Sequence, residues 1–170
     1  TRAHPVRCFD GMMKRVASWQ PSSDAEPPRV RLLPLRTITR TYSDRLLAIG
    51  DAAGLVKPTT GGGIYYSLVS ASLAADVAED GLRRDDLSGA ALRPYETRWR
   101  RRLAAEFQAQ WLLRRVAEQM SDRQIDALFD LALTDGVMPI VQRTAAFNHH
   151  RPLINALLRH APARRIFWPA

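Results

Sequence analysis

The sequence predicts an α/β or α+β core with short strands, followed by a mostly helical C-terminal region. Three observations carry this. A short apolar run, Leu46-Leu47-Ala48-Ile49, leads into the glycine turn Gly50-Asp51-Ala52-Ala53-Gly54. Three consecutive glycines, Gly61-Gly62-Gly63, open a stretch of helical spacing rich in small residues. From Leu87 onward, apolar residues recur at steps of three or four. Extended pieces that feed a strand, a turn and then helices belong to mixed architectures.

Taken in order, Val6, Phe9, Met12, Met13, Val16 and Trp19 fall near helical period behind Pro5, which suits a first helical position. We expect this helix to run to Trp19 and to lie on its Phe9, Met13 and Val16 face. The polar, proline-rich stretch from Gln20 to Pro28 reads as a linker. Residues 30–35 read as a short extended segment interrupted by Pro34, and the β-branched residues of 36–42 as a second strand. Ser43-Asp44-Arg45 makes a turn, and residues 46–49 read as a strand buried on both faces.

After the glycines a helix spans 64–80, with Tyr65, Leu68, Val69, Leu73 and Val77 as its large apolar residues and Gly81 at the C-cap position. Leu92, Tyr95, Trp99, Leu103, Phe107, Leu113, Val116 and Met120 then form an amphipathic stripe. Pro94 marks that helix's expected start. Ser121-Asp122-Arg123-Gln124 is a capping-box pattern. Further helices are expected after Met138-Pro139 and after Arg151-Pro152, and the apolar tail Phe167-Trp168-Pro169-Ala170 is expected to dock on the body or on a membrane.

Composition limits the function. A chain of 170 residues suits one domain, or one with a small appendage, and its 46% hydrophobic and 25% charged residues are ordinary for a soluble protein. No apolar run reaches the roughly 20 residues of a spanning helix. The opening residues show no secretory pattern, and a start without Met hints at a piece of something longer. The single Cys8 excludes an internal disulfide, so a cytoplasmic setting, peripheral at a membrane, is expected. The net charge of +8 suits nucleic acid or anionic lipid, which makes a basic helical binding module the rival reading. However, the arginines are interleaved with Glu96, Glu106 and Glu118, as on a solvated face, and no nucleic-acid motif is present. His149, His150 and His160 lack partners at metal-ligand spacing, and we expect no metal.

The glycine stretch carries the chemistry. Gly50 permits a sharp turn at the end of a strand. Asp51, an acceptor when ionised, can take hydrogen bonds from vicinal hydroxyls. Gly61, Gly62 and Gly63 leave backbone N–H groups at a helix N-terminus, where anions and electron-rich oxygens are favoured, and Pro58 stiffens the loop before them. Together these residues form a cradle for a nucleotide-like cofactor. The dinucleotide fingerprint is not met, because its third glycine position is Tyr66. From the residues alone, a cofactor site and a structural turn both remain open.

The order Gly50-Asp51-Ala52-Ala53-Gly54, then Pro58-Thr59-Thr60-Gly61-Gly62-Gly63-Ile64 and a small-residue helix ending in Leu73-Ala74-Ala75, resembles the second FAD-binding motif of the geranylgeranyl reductase family. That family belongs to the para-hydroxybenzoate hydroxylase-like flavoproteins. Leu33-Pro34-Leu35, Ser43-Asp44-Arg45-Leu46-Leu47 and Tyr95-Glu96 extend the likeness. Hydroxylases of the group usually carry His where this chain has Gly54.

The resemblance implies an FAD-dependent oxidoreductase that reduces C=C bonds of an isoprenoid or other lipid-like substrate. NAD(P)H or another donor would supply the electrons. It implies cofactor contacts from Gly50, Asp51, Ala52, Gly61, Gly62, Gly63 and Ile64, with Asp51 on the ribityl chain. Pro58 and Thr59 would stand at the edge of the substrate cavity. An FAD-dependent monooxygenase or halogenase is the alternative within the fold group. The implied division is a helix and linker over 1–29, the end of a Rossmann-like FAD-binding domain over 30–81, and a helical region over 82–170. The family's N-terminal unit for the ADP moiety has no counterpart here. The chain is therefore expected to be the C-terminal part of such an enzyme, inactive alone and completed by the missing N-terminal part.

Overall fold

A computed structural model describes residues 4–16, 29–30, 32–134 and 136–167. The chain divides into two units, Thr1–Leu32 and Leu33–Ala170. The first contains helix α1, Pro5–Arg15, with proline in its first turn and Lys14 and Arg15 in its last, where cations favour a helix C-terminus. It ends at Arg15, before Val16, and none of its residues is buried. Trp19 and the proline-rich linker lie outside the described residues.

The second unit holds everything else described below. Tyr42–Ser43 (β1) pairs antiparallel with Leu46–Leu47 (β2), Tyr42 opposite Leu47 and Ser43 opposite Leu46. Arg45 closes the turn in the left-handed region, at φ 56°. This corrects the expected strand buried on both faces. The hairpin is the only sheet among the described residues, so Leu46 remains 54% and Ile49 40% exposed. The second expected strand likewise shrinks to its end at Tyr42. Without a third strand beside them, the groups of 36–41 find other partners, such as the bond from Ile38 N to Ala53 O at 3.2 Å.

A single 3-10 turn, Gly50–Ala53, connects the hairpin to helix α2, Ile64–Arg83. Helix α2 runs through Gly81, which is therefore not its cap. The following chain folds back over that glycine, with Asp86 N donating to Gly81 O at 2.9 Å and Asp85 in the left-handed region. Helix α3, Gly89–Ala117, begins five residues before Pro94. Its start is set by Ser88, whose side chain accepts from Ala91 N, and by Asp44, whose Oδ1 accepts from Gly89 N at 2.6 Å. Pro94 sits early enough in the helix to be tolerated.

The main core lies between α2, α3, the hairpin and the 3-10 turn. Tyr66, Val77, Leu92, Tyr95, Trp99 and Leu103 form its centre. Its polar tips are satisfied. Tyr95 Oη donates to Ala48 O at 2.7 Å, and Trp99 Nε1 donates to Thr41 Oγ1 at 2.9 Å. Thr41 donates through both N and Oγ1 to Glu96 Oε2. Burial pushes the Tyr66 and Tyr95 hydroxyls up to about 12. At Glu96 burial acts upward, but the Thr41 and Arg100 donors together outweigh it and hold the carboxyl below its ordinary value.

Four shorter helices follow: α4 (Asp122–Thr134), α5 (Val137–Thr144), α6 (Arg151–Arg159) and α7 (Ala161–Phe167). The capping box forms as its spacing predicts: Ser121 N donates to Gln124 Oε1, and Gln124 N to Ser121 Oγ. Helix α5 includes Met138 and Pro139 rather than following them, because Gly136 in the left-handed region turns the chain in one residue earlier. Helix α6 stops where His160 becomes extended, and α7 begins anew. Leu131, Val137 and Ala163 form a second, smaller core here. Trp168, Pro169 and Ala170 lie outside the described residues.

Candidate functional site

The glycine turn is placed by backbone hydrogen bonds that the local sequence makes possible. Gly50 N donates to Ser70 Oγ on α2 at 3.1 Å, and Ser70 donates in turn to Ser67 O. Leu55 N returns to Gly50 O at 2.9 Å. Gly54 ends the 3-10 turn at φ 69°, and a Cβ there would collide with the Arg36 carbonyl group, whose carbon lies 2.8 Å from that position. Only glycine fits both requirements.

The next turn is closed by Lys57 N donating to Gly62 O at 2.9 Å and Gly61 N donating to Lys57 O at 2.8 Å. This lifts Pro58, Thr59 and Thr60 into a loop and delivers Gly63 as the N-cap of α2. No side chain caps that helix. The N-terminus of a 20-residue helix is thus left for a polar group from elsewhere.

Asp51 lies against this N-terminus. A Cβ at Gly63 would come within 2.5 Å of Asp51 Oδ1, so the missing side chain lets the carboxyl group approach the start of α2. Among the described residues the Asp51 carboxyl group has no hydrogen-bond or ion-pair partner, and the residue is exposed together with Ala52 and Gly62. Ile64 and Leu68, one helical turn apart on α2, continue the surface at 82% and 67% exposure.

The structure therefore brings Asp51 and Gly63 together at an uncapped helix end, with Gly61 and Gly62 in the adjoining turn. Of the three glycine N–H groups, that of Gly61 is already engaged by Lys57 O. Pro58 lines a cavity of about 390 Å³ together with Leu35, Arg36, Gly54, Phe107 and Trp111. The Arg36 guanidinium lies 4.2 Å from the Trp111 ring centre. Thr59 points elsewhere: its hydroxyl donates to Gln110 Oε1 at 3.1 Å and lies 3.4 Å from His150 Nδ1.

Sequence reasoning missed the residues behind the loop. Glu106, expected on a solvated face, is buried, as is Gln110 one helical turn on. Lys57 is also buried, its ammonium donating to Phe147 O and lying over the Phe147 ring. One signal was available: Glu106 and Gln110 flank Phe107 within the α3 stripe, where polar residues at helical spacing interrupt an apolar face. Among the described residues no group of three or more His, Cys, Asp or Glu is placed to hold a metal ion.

No protein-family model matches the chain. Individual proteins do. The chain is 40% identical over 91 residues to digeranylgeranylglycerophospholipid reductase of Methanocaldococcus jannaschii, a match covering 54% of this chain and 23% of that protein. Digeranylgeranylglycerophospholipid reductase 2 of Methanothermobacter thermautotrophicus is 37% identical over 91 residues, covering 54% of this chain and 24% of that protein. The chain is related to the geranylgeranyl reductases. It spans about a quarter of the length of these relatives. The fold agrees with that of a geranylgeranyl bacteriochlorophyll reductase-like protein from Thermoplasma acidophilum, known from a crystal structure. The TM-score is 0.59 at 23% identity, covering 75% of this chain and 30% of the other. Among the described residues the architecture, mostly helical with one short hairpin, thus shares that protein's fold over the matched part. No described helix is long and apolar enough to cross a membrane.

Proposed function

We propose that the chain supplies the ribityl- and flavin-facing part of an FAD site in an oxidoreductase that reduces C=C bonds of an isoprenoid or related lipid-like substrate. On this reading the hairpin, the 3-10 turn and α2 end a Rossmann-like FAD-binding domain, and the remaining helices back it. One observation carries the proposal: an exposed Asp51 whose carboxyl group, without a partner among the described residues, is held at the uncapped N-terminus of α2.

The residues present fit the group. Asp51 offers acceptor oxygens to vicinal hydroxyls of a ribityl chain. The N–H groups at the start of α2, approached closely because Gly62 and Gly63 carry no side chain, suit a flavin carbonyl oxygen and the negative charge of a reduced ring. When bound, reduced FAD would supply the hydride for the C=C bond, with NAD(P)H or another donor restoring it. The protein's own part is to bind and orient. Asp51 fixes the ribityl chain, and the α2 N-terminus favours the anionic form. Pro58 borders a cavity whose Leu35, Phe107 and Trp111 walls accept apolar chains. The relatives' names, which specify reductases of geranylgeranyl lipids, support the substrate class.

The test is an amide NMR titration of the chain with FAD. Shifts are expected at Gly50, Asp51, Gly62, Gly63 and Ile64, and Asp51→Ala should weaken binding about tenfold, as for a lost charge-assisted hydrogen bond. Shifts confined to other residues, or no response at millimolar FAD, would overturn the reading.

A further inference from the structure

Glu106 has no part in the site as described, yet it is a buried carboxyl group facing only donors. Its Oε1 accepts from Gln110 Nε2 at 2.7 Å and from His150 N, and Arg151 N reaches its two oxygens at 3.2 and 3.1 Å. Glu106 thereby serves as the missing cap of α6, whose own N-cap, His150, makes no side-chain capping bond. Gln110 extends the chain of bonds outward. Its Nε2 also donates to Tyr66 Oη at 3.1 Å, and its Oε1 accepts from Thr59. Tyr66 Oη donates to Asn148 O at 2.9 Å.

Two further ties run parallel to this network. Lys57 donates to Phe147 O, and Arg114 Nη1 donates to Pro58 O at 3.1 Å. Every residue from Lys57 to Thr59 is therefore bonded to α3 or to the segment just before α6. The turn itself contains two glycines and a proline, and its Thr60 and Gly62 are exposed.

We propose that Glu106 is a positioning residue for the glycine loop. By fixing Gln110 and the backbone at His150 and Arg151, it sets the path of Lys57 to Gly62 and hence the placement of Gly63 at the start of α2. The loop's function as part of a flavin site rests on the reading above; the positioning itself does not. A carboxyl group suits the task because it accepts all three donors at once, whereas an apolar residue of the same size would leave all three without that acceptor.

Hydrogen exchange on the full chain tests this without cofactor. In Glu106→Leu and in Thr59→Val, the bonded amides of Lys57 and Gly61 are expected to exchange at least about tenfold faster, while α3 core amides such as Leu103 keep their protection. Glu106→Gln, which retains an acceptor oxygen, should recover most of the loop's protection. Because Glu106→Leu removes the acceptor of three donors, Thr59→Val carries the test with its fold intact, since it removes one hydroxyl and preserves shape. Unchanged loop exchange in Thr59→Val, loop exchange that rises only with that of the core, or no recovery in Glu106→Gln would overturn the proposal. A second measurement adds FAD: amide shifts at Gly62 and Gly63 should need about tenfold more FAD in Thr59→Val. Absence of any FAD response in the unaltered chain would sink the flavin reading alone, while the exchange result still decides the role of Glu106.

Discussion

The core between α2 and α3 and the core among α4 to α7 are built on different principles. The first is centred on large rings: Tyr66, Tyr95 and Trp99 are at most 1% exposed, and the polar tip of each is hydrogen-bonded. In the second the buried cluster is Leu131, Val137 and Ala163, with Ile154 of α6 buried outside it, while Phe129 and Leu133 of α4 stay 68% and 85% exposed. Large buried surface holds the first region by itself. The second is thin, and the polar ties from α3 to the start of α6 connect it to the rest. The glycine loop lies where the two meet. It is hydrogen-bonded on one side to α3 and on the other to the segment just before α6.

This contrast can be broken in three ways. The largest effect is expected for Trp99→Ala. It removes a fully buried ring and its indole bond to Thr41 Oγ1, and should cost about 3–5 kcal/mol in urea unfolding, with both regions lost in one transition. Leu131→Ala should cost about 2 kcal/mol, the low end for a core leucine, because its surroundings are loosely closed. Its signature is selective: amides of α4, α5 and α7 lose exchange protection while those of α2 keep theirs. Uniform loss across the unit would show that the two cores are one. The smallest effect concerns Glu96, which ties α3 to Thr41 within the first region. Its folded pKa lies below the ordinary 4.5, so its contribution is present above that pH and fades as pH falls through the folded value. The difference in thermal midpoint between the protein and Glu96→Gln should therefore shrink steadily below about pH 4.5. A difference independent of pH would assign the role of Glu96 to shape rather than charge.

The parts of the fold that depend on neighbours in sequence were legible in it. Ser121 and Gln124 cap α4 because both partners lie within four residues, and Leu92, Tyr95, Trp99 and Leu103 bury together because one helix aligns them. The parts that depend on distant chain were not. Gly81 resembles a helix end until Asp86 is seen to fold back over it, and the start of α3 is fixed by Asp44, 45 residues away. Residues 46–49 have the composition of a buried strand, but burial requires strands on both sides, and among the described residues only β1 lies beside them. At the site, the pairing of Asp51 with the α2 N-terminus could be guessed from the glycines. The role of Lys57 could not, because nothing near it in sequence signals a partner 90 positions away, and Glu106 gave only the hint of a polar residue within an apolar stripe, not the identity of its partners.

The contact between Gly54 and the Arg36 carbonyl group has a bearing on how such sequences can change. A side chain at position 54 cannot be admitted by adjusting that residue alone, since the obstacle is the main chain of a separate segment and the backbone there is left-handed. Any variant with a bulkier residue at this point must at the same time carry a differently routed segment at 36–37. The two sites are therefore expected to change together. An attempt to graft a hydroxylase-like histidine onto this turn should begin by exchanging the loop that crosses it.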